Sequence, residues 1–172
     1  VSEASRGHEP PSNRVTSNDT GMQIVSGDLL KLALAGKFDV IVHGANCFCS
    51  MGAGVAKAIR DTFPAALAAD ELTKKGDRAK LGTLSVATVR VRIGTVVVVN
   101  AYTQFDYRGR GVRVDYDAVR SCFAAIKTRF PGKRIGYPKI GAGLARGDWT
   151  RLSAIIDAEL EGEDHTLVEH VP

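Results

Sequence analysis

Apolar and polar positions along the chain fall into short alternating blocks. Met22 to Ser26 reads as a strand ending in Gly27-Asp28, and Leu29 to Leu34 as a short helix. Phe38 to His43 reads as the next strand. Within it Val40, Ile41 and Val42 form a continuous apolar run, the mark of a strand buried on both faces. A loop of small and polar residues follows from Gly44 to Gly54. Val55, Ala56, Ile59 and Phe63 then fall on one face of a helix over Gly52 to Phe63, stopped by Pro64. Ala65 to Lys75 is a second helical stretch ending near Gly76. Leu84 to Val91 and Thr95 to Ala101 are β-branched strands parted by a turn at Gly94. Val119, Cys122, Phe123, Ile126 and Phe130 give helical periodicity to Asp115–Phe130, closed by Pro131-Gly132. Arg134 to Ile140 is a strand. Asp148 to Leu160 is a helix with Leu152, Ile155, Ile156 and Leu160 inward, and Thr166 to Val171 is a closing strand.

This alternation predicts an α/β sandwich around a mixed, mostly parallel sheet. Ligands of such sheets sit in the crevice beyond the strand C-termini. Three loops are expected there, after His43, Asn100 and Ile140. Two of them share one design of strand, glycine-bearing loop and helix: Val40 to Ala56, and Tyr137 to Trp149. That design turns backbone N–H groups and a helix N-terminus toward an anion. Glycines let a phosphate come close to the backbone. Neither loop has the Gly-x-Gly-x-x-Gly or Gly-Lys-Ser/Thr pattern, so neither is a Rossmann fingerprint or a P-loop. Taken singly, each reads as a phosphate site or as an ordinary connection packed with small residues. Two on one crevice can grip a diphosphate from both sides.

Composition narrows the class. The length of 172 residues fits one domain. Val1 to Gly21 carries almost no large apolar residue and reads as a flexible tail, with the domain proper over 22–172. No apolar run reaches the ~20 residues of a membrane span, and no apolar leader stands at the N-terminus. Cys47, Cys49 and Cys122 are odd in number and make no paired Cys-x-x-Cys set. A disulfide framework or zinc site is not expected; a reducing cytoplasm is. No metal or cofactor is expected, and a monomer is. The net charge of +4 suits a phosphorylated small ligand or a loose nucleic-acid contact. Arg108-Gly109-Arg110-Gly111-Val112-Arg113 reads as a solvated loop able to attract phosphate. Tyr102, Phe105 and Tyr107 follow a strand, where one can stack on a ligand.

Gly27-Asp28-Leu29, the His43 to Ala56 loop, and Ile140-Gly141-Ala142-Gly143-Leu144 followed by Trp149 resemble the macrodomain family, which binds ADP-ribose. The resemblance covers Met22 to the C-terminus. It implies a three-layer α/β/α sandwich and a set of ligand-contacting residues. Asp28, with Leu29 beside it in the motif, would meet the adenine amino group; Asp28 also reads as a helix N-cap. Asn46, Met51, Gly52, Ala53, Gly54 and Val55 would hold the distal ribose and one side of the diphosphate. Gly141, Ala142, Gly143, Leu144 and Ala145 would wrap the other side.

Two branches of the family are closest: ADP-ribose 1″-phosphate phosphatases and ADP-ribosyl glycohydrolases. The second uses a lysine where this chain reads Asn100-Ala101-Tyr102-Thr103-Gln104, and an aspartate where it has Ala145. The resemblance therefore leans to the phosphatase. His43 matches its histidine and would be the general acid/base. Asp148 is the candidate for its aspartate. Each has a plainer reading, His43 as a core histidine and Asp148 as an N-cap. The expected function is hydrolysis of ADP-ribose 1″-phosphate. The alternatives are a non-catalytic ADP-ribose reader, and a de-ADP-ribosylase acting on protein or nucleic acid through substrate-assisted water.

Overall fold

The computed structural model describes residues 21–171. The expected tail over Val1 to Gly21 lies outside them, save Gly21. Six strands form one sheet: β1 (Gln23–Gly27), β2 (Val40–Asn46), β3 (Leu84–Arg90), β4 (Thr95–Gln104), β5 (Ile135–Tyr137) and β6 (His165–His170). Their order is β1-β6-β5-β2-β4-β3. All neighbours run parallel except β3, which joins β4 antiparallel. The mixed, mostly parallel sheet is as the alternation predicts.

Among the described residues five α-helices cover it: α1 (Leu29–Leu34), α2 (Gly54–Thr62), α3 (Pro64–Glu71), α4 (Tyr116–Arg129) and α5 (Trp149–Glu159). Side chains alternate along a strand, so β2 feeds both layers. Val40 and Val42 pack with Phe123, Ile126, Leu152 and Ile156 of α4 and α5. Ile41 packs with Leu29 and Ala33 of α1, Ile59 of α2, Phe63 at the α2–α3 junction and Ala66 of α3. Among the described residues, no helix is long and apolar enough to cross a membrane.

Element ends differ from the sequence pattern for local reasons. β2 runs on through Gly44, Ala45 and Asn46, because β4 also continues and pairs with them at Ala101, Tyr102 and Gln104. The register shifts between Ala45 and Asn46, where β4 carries one extra residue, Thr103, a bulge that bends β4 where the crevice begins. β5 ends at Tyr137 rather than Ile140: Pro138 has no N–H to give a ladder. Pro64 does more than stop α2. It occupies the first turn of α3, where its missing N–H costs nothing.

Candidate functional site

The C-terminal ends of the parallel strands open into a cavity of about 560 Å³. Both glycine loops border it. From the first come Asn46, Ser50, Gly52, Ala53, Gly54 and Val55. From the second come Gly141, Gly143, Leu144 and Ala145. The loops approach one another closely: a Cβ built on Gly54 would lie 3.2 Å from Leu144 Cδ1.

The first loop is shaped by Asn46. Its Nδ2 donates to the Ser50 carbonyl at 2.8 Å, and its Oδ1 accepts from the Phe48 N–H at 2.9 Å. One Nδ2 hydrogen remains for a ligand. Met51 anchors the loop beneath, buried in the α1–α3 layer rather than on the cavity wall. The loop then enters α2 through Ala53, whose extended backbone is that of an N-cap but whose side chain caps nothing. The N–H groups of the first turn are left to solvent or to a ligand. The other four helices differ in this respect only in part: Asp28, Asp115 and Asp148 cap α1, α4 and α5.

The second loop is a closed turn. The Gly147 N–H donates to the Gly141 carbonyl at 2.6 Å. A Cβ on Gly147 would meet that same oxygen at 2.6 Å, so a glycine is required there. Arg113 holds the loop from outside, donating through Nη2 to the Leu144 carbonyl and through its own N–H to Ala145. Among the described residues, the two non-glycine residues at positive φ are Cys49 and Arg146, one in each loop. Such conformations persist where surrounding contacts fix them.

Electrostatically the wall is one-sided. Arg113 and Lys139 line it, and none of the described lining residues is a carboxylate or an imidazole. Thr103, Gln104, Pro138 and Lys139 also line the cavity and were not among the residues given a site role from sequence, whereas Tyr107 was read as a candidate ligand stacker and Arg113 as part of a phosphate-attracting run. Thr103 and Gln104 arrive through the pairing of β2 with β4, and Pro138 and Lys139 follow directly on β5, so no local pattern marked them. Among the described residues, no group of three or more His, Cys, Asp or Glu gathers as a metal site would require.

The expected catalytic pair is not brought to this wall. His43 shares its face of β2 with Ile41, opposite Gly44 and Asn46. It is buried, with Nε2 2.6 Å from Asn100 Oδ1. Burial pushes its pKa below the usual histidine value, against the raising effects of Asn100 and Asp70. The contact continues as a buried polar chain. Asn100 Nδ2 reaches Ser85 Oγ at 3.0 Å, Ser85 Oγ meets the Tyr102 hydroxyl at 2.7 Å, and that hydroxyl donates to Asp70 at 2.7 Å. Asp148 is exposed, lies off the cavity wall, and accepts the Thr150 N–H as the cap of α5. Asp28 and Leu29 also lie off this wall. Asp28 Oδ1 accepts from Leu30 and Lys31, and Leu29 is in the core. Ala142 sits behind the second loop. Cys47 and Cys122 are buried thiols whose pKa burial raises, Cys122 to about 12.

Comparison with known proteins agrees with this architecture. A family model described as Macro domain matches residues 42–156. The chain is 34% identical to the 17.5 kDa protein of the tk–vs intergenic region of Enterobacteria phage T4, over 88% of this chain and 97% of that one. Among solved structures, the macrodomain of Thermus aquaticus DarG superposes with a TM-score of 0.67 at 21% identity, covering 88% of this chain and 98% of that one. The Trypanosoma brucei macrodomain in complex with ADP-ribose gives a TM-score of 0.57 at 18% identity, over 86% of this chain and 63% of that one.

Proposed function

Since the chain belongs to the Macro domain family, we propose that its cavity binds the ADP-ribosyl group. One observation carries this reading. An uncapped helix N-terminus, a glycine turn and two cations face one cavity whose described wall holds no carboxylate. That combination suits a diphosphate, which offers oxygens to backbone N–H groups from both loops. The distal ribose would meet Asn46. Adenine would extend toward Asp28 at the C-terminal end of β1. The Trypanosoma brucei structure holds ADP-ribose in a related fold, which supports the same ligand class.

The same wall favours recognition over acid–base phosphatase chemistry. A general base must reach the reacting proton or share one water with it, and neither His43 nor Asp148 lines the cavity. In the de-ADP-ribosylation alternative, water would add to C1″ of the distal ribose as the C1″–heteroatom bond to the modified group breaks, its proton passing to an oxygen of the ligand's own diphosphate and the modified group leaving with the bond pair. Titration calorimetry tests the binding reading. ADP-ribose should bind at least about tenfold more tightly than AMP, the factor that ~1.4 kcal/mol of extra phosphate contact supplies; equal affinities would remove the diphosphate grip. On the same preparations, phosphate release from ADP-ribose 1″-phosphate reports catalysis. Any turnover present should survive His43→Gln per folded molecule, and a loss of roughly 10²-fold or more would restore His43 as the acid/base.

A further inference from the structure

Off the cavity wall, the first glycine loop holds a thiol in contact with an amine. Cys49 lies in that loop at a φ of 53° and keeps part of its surface exposed. Lys80 closes the short turn Arg78–Lys80. Its Nζ donates to Cys49 Sγ at 3.5 Å and to the Cys47 carbonyl at 3.3 Å. The lysine is only 7% exposed, a state this residue type takes when it is paired. Its charge faces Asp70, which is fully buried: Oδ1 stands 4.0 Å from Nζ and accepts from the Tyr102 hydroxyl. Asp70 Oδ2 is buried and has no hydrogen-bond partner among the described residues. Cys49 Sγ touches the same residue, donating to the Asp70 carbonyl at 3.3 Å. None of the three lines the cavity.

We infer that Cys49 and Lys80 form an oxidation site, which hydrogen peroxide closes into a sulfur–nitrogen crosslink. The inference goes beyond the cavity and holds whichever ligand binds there. Sulfur first attacks peroxide. An S–O bond forms, the O–O bond breaks, and the departing hydroxide takes the thiol proton and leaves as water. The product is a sulfenic acid, which condenses with a neighbouring nitrogen. The Lys80 ammonium passes one proton to Asp70, and the amine attacks sulfur. The S–N bond forms, the S–O bond breaks, and hydroxide leaves as water with a second proton from nitrogen. Sulfur is oxidised, peroxide is reduced to water, and the buried ion pair becomes a buried neutral pair. No lone charge is left in the core, which would be costly. The flexible four-carbon stem of lysine lets Nζ close on sulfur by rotamer change. Cys47 and Cys122 differ: both are fully buried, and burial pushes their pKa up, so they stay unreactive thiols. The crosslink would fasten the first glycine loop to the turn that carries Lys80.

Intact mass spectrometry of the full chain, treated with a small excess of hydrogen peroxide, tests this. The mass should fall by two hydrogen atoms and return on reduction with a thiol. A non-reducing tryptic digest should then join segment 38–57, which holds Cys49, to segment 79–90, which holds Lys80. The join should persist in Cys47→Ser and vanish in Cys49→Ser. Lys80→Arg keeps a cation facing Asp70 but removes the primary amine. There the sulfenic acid should accumulate instead, gaining one oxygen and reacting with dimedone. If a variant fails to fold, the digest of the unaltered chain decides by itself. A mass loss that maps to a disulfide between Cys47 and Cys49 would overturn the inference. So would an oxygen gained and kept on Cys49 of the unaltered chain. An unchanged mass, with Cys49 still open to alkylation, would overturn it as well.

Discussion

A single histidine illustrates how one-residue parity decides a role. From sequence, His43 ends a buried strand three residues before Asn46, which invites a place in the site. The strand continues through Asn46, however, and side chains alternate. Asn46 on the cavity puts His43 on the opposite face. The residue types were legible; the strand's true end, set by pairing with β4, was not. Burial makes His43 a stability residue with a pH signature. Its folded pKa lies below its usual value, so the unfolded chain binds the proton first. The neutral native form is favoured above pH ~6.5, and this contribution is lost as pH falls through the lowered folded value. Thermal unfolding should thus shift to lower temperature on acidification from about pH 7 to about pH 5. The slope should be shallower in His43→Gln. Comparing the two chains isolates the part of the slope that His43 carries. Identical slopes would mean that His43 does not carry the shift.

At the level of elements, both glycine loops were readable because their chemistry is local: small residues, a turn, then a helical face. Their partners were not. Arg113 reaches Leu144 and Ala145 across the fold, and Lys139 comes to the cavity wall two residues past the end of β5. The uncapped start of α2 sets stability against ligand capture. Ala53 has cap-like backbone dihedrals, so Ala53→Asp should satisfy a first-turn N–H and favour the helix dipole, adding ~0.5–2 kcal/mol. The same carboxylate would occupy the anion's position. The variant should melt higher and bind ADP-ribose at least about tenfold more weakly, as like-charge repulsion and lost N–H donors require. A higher melting temperature with unchanged affinity would place the diphosphate elsewhere.

Over the whole molecule, the class of fold follows from alternating elements, but the strand order does not. Nothing local in β1 says that it pairs with β6 rather than with β2, the next strand along the chain. β1 lies at the sheet edge with β6 as its ladder partner, at pairs such as Ile24 with Leu167. That pairing has a temporal consequence. β1 must wait for β6 before it can dock, so loop closure over most of the described residues precedes completion of the sheet. During synthesis β1 stays unpaired until β6 has emerged, a period in which Ile24 and Val25 are open to wrong partners. A chain truncated before His165 should accordingly lose its cooperative thermal transition by circular dichroism, even though both glycine loops remain intact. Retention of a sharp transition would show that β2 through β5 form a self-sufficient nucleus and that the outer pair is added later.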